Sequence, residues 1–300
     1  MYKYWGFGLR LTSEIEFPEL MPADFEVADI AITMGKTPEK LEGEGILKKA
    51  FSSLSKDEYL LNVRNICKYY VCHGNKIIFE PAPGIDECSI RLFLLGTVMA
   101  ALLYQRGNIP LHAAAIIKEG RLVLFAGNSG VGKSTLLAKL STMGYDVFTD
   151  DICVLQHIPG DYDVLGTASY PMMKLWDDAI SKLDNNRFTR EFKVRPQLPK
   201  FGHFFYESFN TASLPVDKIF ILTTKNNTDE ISIKKLAPLQ AFRQMEKQAY
   251  KYQLIVNTKL RSLHFSLLSQ LINQIPVFEV SRPMIGTNVE QLSGALENLF

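Results

Sequence analysis

"LFAGNSGVGKSTLLAKL", residues 124–140, decides how this chain is read. An apolar run enters a glycine-rich loop, and a helical pattern of leucine and alanine leaves it behind Lys-Ser-Thr. Gly127 to Ser134 matches G-x-x-x-x-G-K-[ST], and a strand before with a helix after is the setting a phosphate-binding loop requires. Glycines at 127, 130 and 132 let successive backbone N–H groups face one concavity that holds phosphate oxygens. The helix N-terminus adds fractional positive charge. The expected nucleotide site is therefore Gly127, Asn128, Ser129, Gly130, Val131, Gly132, Lys133, Ser134 and Thr135. Lys133 reaches the β- and γ-phosphates, and the Ser134 hydroxyl is a ligand for Mg²⁺.

Working outward, "IPLHAAAII" (109–117) reads as a strand, "KEG" (118–120) as a tight turn and "RLVLFAG" (121–127) as the strand feeding the loop. Parallel strands need a crossover of a dozen or more residues, so these two must be antiparallel. After the loop helix, "YDVFTDD" (145–151) is a strand ending in Asp150 and Asp151. "ICVLQ" and "YDVLG" flank "HIPGD" as a hairpin, and Pro171 opens a helix-like "MMKLWDDAISKL". "RFTREFKVRPQLPK" (187–200) is basic and without period. "KIFILTT", "ISIKKL" and "PVFEVSR" are further strands among helical patterns at 238–250, 259–275 and 287–299.

Residues 1–84 read as a strand-rich domain of short runs such as "YWGFGLRL", "FEVADIAIT" and "NKIIFEP", with a turn at "HGN" (73–75). "EPAPGID" (80–86) punctuates the chain, which places the phosphate-loop domain at 85–300. Apolar residues at helical spacing over 86–106 then predict a buried helix. Its most apolar run, "LFLLGTVMAALLY" (92–104), falls short of the roughly 20 residues that span a bilayer.

Lys plus Arg total 33 against 32 Asp plus Glu, so no overall field draws the chain to nucleic acid or anionic lipid. With 47% hydrophobic and 22% charged residues, the composition is that of a globular protein with a filled core. Cys67, Cys72, Cys88 and Cys153 have no zinc-like spacing and are too few for a disulfide scaffold, so reduced thiols in a cytoplasmic protein are expected. The N-terminus shows no signal-peptide pattern.

Phosphoryl transfer needs one group fixing Mg²⁺ and another orienting or deprotonating the attacking hydroxyl. Asp150 and Asp151, at the end of the strand after the loop helix, can divide those roles; a solvated Asp-Asp turn is the plainer alternative. His112, on the strand beside the loop strand, can relay the proton, or be a satisfied core histidine.

With these residues placed, "LHAAAIIKEGRLVLFAGNSGVGKSTLLAKLSTMGYDVFTDDICVLQ" (111–156) resembles the catalytic core of HPr kinase/phosphorylase, a family related to phosphoenolpyruvate carboxykinase. The resemblance rests on His112, Gly127, Ser129, Gly130, Gly132, Lys133, Ser134, Asp150 and Asp151, in that order. It implies an α/β fold with a mixed sheet around the phosphate loop, ATP and Mg²⁺ as cofactors, and a serine kinase acting on a peptide or protein. It also implies that Asp150 is the base, assisted by His112, and that Asp151 joins Ser134 at Mg²⁺; sequence physics does not separate the two aspartates. Thr135 stands where the family usually carries Glu, and the E-x-R-G-x-G signature of the bifunctional enzymes is missing. The overall layout, with "SYPMMKLWDDAISKL" (169–183), is similar to the subgroup that phosphorylates lasso-peptide precursors. Lys174 there, with Arg187, Arg190, Lys193, Arg195 and Lys200 of the basic stretch, forms an expected clamp on triphosphate or acidic peptide; a solvated loop face is the alternative. "TTKNNTD" (223–229) superficially matches a guanine-reading motif, but Asn227 occupies its acidic position, which makes it a strand-end turn.

Two other classes compete. A small-molecule kinase also pairs carboxylates after its loop helix, but begins at the phosphate loop. A nucleotide-dependent switch would need the metal ligand but no second carboxylate. The acceptor and the oligomeric state are not legible.

Overall fold

A computed structural model describes residues 1–157, 163–183, 187–226, 230–255, 258–284 and 289–300. The tip of the hairpin around "HIPGD" and Asn227 lie outside them.

The N-terminal sheet is built from β1 (Tyr2–Gly6), β2 (Leu9–Ser13), β3 (Met21–Pro22), β4 (Ile30–Met34), β5 (Leu47–Lys48), β6 (Ser52–Leu54), β7 (Glu58–Val63), β8 (Cys67–Cys72) and β9 (Lys76–Pro81). Their order across the sheet is β3-β1-β2-β4-β9-β8-β7-β6-β5. "YWGFGLRL" is a hairpin rather than one strand. Phe7 and Gly8 both take positive φ, 57° and 76°, as a two-residue turn demands. "HGN" does turn the chain, with Cys72 paired to Lys76.

α1 (Glu87–Phe93), a π-helical turn (Leu94–Val98) and α2 (Met99–Gln105) follow without a break. Asp86 caps the start by accepting from the Ser89 N–H at 2.7 Å. Glu87–Gln105 spans 19 residues and is long and apolar enough to cross a membrane. The length expectation for this segment therefore fails, because the flanking turns extend the helix beyond its apolar centre. What accounts for its apolar face is burial: Ile90, Leu94, Val98 and Leu102 pack into one cluster with Tyr69, Val71 and Phe79 of the sheet.

The second sheet contains β10 (Ile109–Leu111), β11 (Ala113–Lys118), β12 (Arg121–Gly127), β13 (Asp146–Thr149), β14 (Cys153–His157), β15 (Val164–Ala168), β18 (Leu214–Lys225), β19 (Ser232–Lys235) and β20 (Val277–Pro283). A separate pair, β16 (Met172–Trp176) with β17 (Lys200–Phe204), lies beside it. The remaining helices are α3 (Lys133–Thr142), α4 (Asp177–Lys182), α5 (Pro238–Glu246), α6 (Thr258–Gln274) and α7 (Val289–Glu297).

β11 and β12 pair antiparallel, and Glu119 and Gly120 between them have φ of 50° and 76°, the left-handed pair a tight hairpin needs. β12 is parallel to β18, and β18 to β20, so the sheet is mixed. Along β12, Leu122, Leu124 and Ala126 join the α5–α6 side, while Val123 and Phe125 join α3 and α7. Both faces are covered, and that is why this strand is a continuous apolar run rather than an alternation.

The helix expected from Pro171 begins late. Met172–Trp176 is a strand because β17 supplies a pairing partner, with Met172, Met173, Lys174 and Leu175 all buried. Only Asp177–Lys182 is helical.

Gly127 ends β12 at φ 142°, and a Cβ there would lie 2.6 Å from the Leu222 carbonyl oxygen. Gly127→Ala should destabilise the protein by roughly 1–3 kcal/mol and lower its melting temperature. A melting curve unchanged from wild type would show that this close approach is not a constraint.

Candidate active site

Ends of β11, β12, β13 and β20 meet at one edge of the second sheet, and sheet direction alone explains why. β12 finishes there at Gly127. β11, antiparallel to it, starts there, which puts His112 beside Gly127, one step beyond the Ala113–Ala126 pair. β13 is antiparallel to β11, hence co-directional with β12, and delivers Asp150 and Asp151 to the same edge. β20 ends there too, bringing Arg282.

The loop itself curls through Gly130 (φ 83°) and Gly132 (φ 104°) into α3. Lys133 is folded down into it. Its Nζ donates to the carbonyls of Gly127 (2.7 Å) and Asn128 (3.2 Å) and lies 3.0 Å from His112 Nε2. Burial pushes this ammonium down to about 8, against the opposing pull of Asp150 and Asp151. An ammonium has only donors, so His112 Nε2 accepts and the imidazole proton sits on Nδ1. That Nδ1 donates to the Asp151 carbonyl at 2.9 Å and faces Asp151 Oδ1 at 3.3 Å.

The two aspartates have different surroundings. Asp150 is 1% exposed. It accepts from the Ser134 hydroxyl at 2.8 Å and from the Lys174 backbone N–H at 2.9 Å. Burial, then the charge of Asp151, pushes its carboxyl up. Asp151 takes φ 73°, a left-handed conformation that turns its side chain away from its neighbour's. Lys174 Nζ pairs with it at 3.1 Å. Burial would raise the Asp151 carboxyl, but Lys174, His112 and Lys200 together hold it well below the usual carboxylate range. The contact with Ser134 thus belongs to Asp150, and the contact with His112 to Asp151, the reverse of the division that the resemblance implies. Alternation along β13 cannot show this, because the positive φ at Asp151 breaks it.

Of the expected clamp, the structure brings Lys174 and Lys200 to the site. Arg187 donates to the Ser141 carbonyl near the far end of α3, about 12 Å down the helix from Lys133 at 1.5 Å per residue. Arg190 is paired with Asp177 and bonded to Ser181 on α4. Arg195 bonds Gln197 at 3.0 Å, and Lys193 is exposed. Lys200, at the start of β17, does belong to the cluster. Burial lowers its ammonium, and Asp151, Lys174 and Asp150 all act on it. Thr135 lies in the first turn of α3.

Two residues escaped the sequence reading. Gln248 accepts from the Gly127 N–H at 3.0 Å through Oε1 and from the His112 N–H at 2.7 Å through its carbonyl, so it ties the loop to the histidine. It sits just past α5 with no motif around it, and no sequence signal could have found it. Arg282 Nη2 donates to the Val131 carbonyl at 3.0 Å. A cation ending an apolar strand carries the same signal as "FTDD", and could have been read. His112, Gly127, Asn128, Ser129 and Asp151, with residues 247–251, line a cleft of about 340 Å³.

No protein-family model matches this chain, and no curated protein matches it. Among solved structures, the HPr(Ser) kinase/phosphatase from Coxiella burnetii is similar at a TM-score of 0.34 and 13% identity, over 63% of this chain and 89% of that one. The α/β class with a mixed sheet stands on the strand order itself.

Above pH 8 the Lys133 ammonium of the free protein is mostly deprotonated, and a bound triphosphate would restore its charge. Affinity for ATP should therefore fall as pH rises through about 8, with uptake of up to one proton on binding. Calorimetry at pH 8.5 in buffers of different ionisation enthalpy reads this directly. No proton uptake, or uptake that persists in Lys133→Met, would refute it.

Proposed function

We propose that this chain is an ATP- and Mg²⁺-dependent kinase that phosphorylates a serine hydroxyl of a peptide or protein. A lasso-peptide or other modified-peptide precursor is the particular acceptor suggested by the sequence resemblance. The observation that carries the reading is the separation of the two carboxylates: Asp151 and His112 line the cleft at the start of the phosphate loop, whereas Asp150 is buried against Ser134. A nucleotide switch has no use for such a second, cleft-facing pair.

The donor set fits Mg²⁺. The Ser134 hydroxyl and the Asp150 carboxylate are hard oxygens already in contact. Among the described residues no cluster of three or more His, Cys, Asp or Glu forms a protein cage. Mg²⁺ commonly binds through one or two carboxylates plus substrate phosphates, and it would there neutralise charge on the β- and γ-oxygens.

The chain's own residues then divide the work. Backbone N–H groups of the loop beyond Gly127 and the α3 N-terminus hold the phosphates. Lys133 exchanges its loop carbonyls for phosphate oxygen, which releases His112 Nε2. The acceptor hydroxyl, lying in the cleft, passes its proton to Nε2 as its oxygen bonds to the γ-phosphorus and the bond to the β,γ-bridging oxygen breaks. Asp151 holds Nδ1–H and compensates the imidazolium that forms, while Lys174 keeps that carboxylate ionised.

Asp151→Asn should lower kcat by about 10²–10⁴-fold with little change in nucleotide Kd. Asp150→Asn should raise the Mg²⁺ concentration needed for half-maximal rate. Transfer from γ-labelled ATP onto size-fractionated host lysate, with nucleotide binding measured in parallel, checks both. Full transfer by Asp151→Asn would refute the assignment. Label confined to small molecules would replace the peptide acceptor by a metabolite.

A further inference from the structure

Resting on the kinase reading above, the geometry points to an acidic peptide as the acceptor, held by Lys247 and Lys251 on the rim of the cleft. The group that takes the acceptor's proton must face the acceptor, so the cleft containing His112 and Asp151 is the acceptor's side of the loop. The opposite wall is the segment after α5, and its outward-facing charges are both cationic. Lys247 and Lys251 are exposed, and among the described residues neither takes part in an ion pair. The nearby acid, Glu246, already accepts from the Tyr252 hydroxyl at 3.2 Å.

Lys251 also holds φ 55°, a conformation a non-glycine residue adopts at a cost. Its ammonium lies 5.7 Å from the Tyr250 ring, and that ring packs edge-on against His112 at 5.5 Å. The lysine is thereby stationed one aromatic ring from the proposed base. Further out, Lys49 of the N-terminal half donates to the Gln253 carbonyl at 3.1 Å, so cations continue from the cleft toward the first sheet. A small anionic metabolite would be met by a cation buried inside a pocket. Exposed lysines along a rim fit an extended ligand instead, for which rim charges set encounter and register. Deep in the site Lys133, Lys174 and Lys200 serve phosphate and carboxylate, which leaves the rim pair for the acceptor's own acids.

The test uses the full chain with Mg²⁺ and β,γ-imido-ATP, and three fluorescent peptides of equal length. Each carries one Ser, flanked by Asp, by Gln or by Lys. Anisotropy should show the Asp peptide binding about fivefold or more tighter than the Lys peptide, the size expected of two exposed ion pairs. Lys247→Glu/Lys251→Glu should erase or invert that order with unchanged affinity for the ATP analogue. The inference is overturned by no binding of any peptide, by equal binding, or by a preference the double variant leaves intact. Loss of analogue binding in the variant would overturn it too, by assigning the lysines to the triphosphate. Displacement of the Asp peptide by 3-phosphoglycerate at lower concentration than by unlabelled peptide would make the ligand a small anion and likewise overturn it. A parallel transfer assay with γ-labelled ATP keeps the two readings apart. Charge-dependent binding without transfer upholds this cleft assignment and defeats the kinase; transfer blind to peptide charge does the reverse.

Discussion

Everything at the site depends on the antiparallel pairing of β11 with β12 across Glu119 and Gly120. A parallel neighbour would start at the opposite edge of the sheet and carry His112 a full strand length away from the phosphate loop. Because the hairpin closes in two left-handed residues, the start of one strand must lie beside the end of the other. β13 then adds to the outer side of β11 in the direction of β12. A histidine, a phosphate loop and two carboxylates, distant along the chain, converge through strand direction alone.

That convergence is electrostatically expensive. Lys133, Lys174, Asp150 and the largely covered Asp151 are withdrawn from water together, and each charge is tolerable only because an opposite charge or a hydrogen-bond partner of the right sense lies within reach. The two adjacent carboxylates are separated by backbone conformation: the left-handed φ of Asp151 sends it to His112 and Lys174 while Asp150 stays with Ser134. The two still repel, but their surroundings differ, and the result is two carboxylates of opposite behaviour, one pushed up and one held down. Such divergence between neighbouring titratable groups is how a single edge supplies two chemical roles.

The second layer of support comes from segments remote in sequence. Gln248 ties the first residue of the loop to His112, and Arg282 braces Val131 from the end of β20. Together they hold the loop at Gly127 and at Val131.

What the amino-acid sequence determined by itself is whatever local chemistry dictates. Glycine spacing set the phosphate loop, a tight turn set the antiparallel hairpin, and the apolar runs of β12 and β18 set a buried sheet. Capping by Asp86 and helical spacing set the buried helix. What only the tertiary structure decided depends on a partner far along the chain. Met172–Trp176 became a strand because Lys200–Phe204 pairs with it, and that pairing brought Lys174 and Lys200 to the aspartates while Arg187 and Arg190 were held elsewhere. The division of labour between Asp150 and Asp151 was likewise beyond sequence, since adjacent residues of one type differ only in what surrounds them. Short-range steric rules act within a few residues and are written in the chain; desolvation and charge pairing act across the fold, and exist only once it has closed.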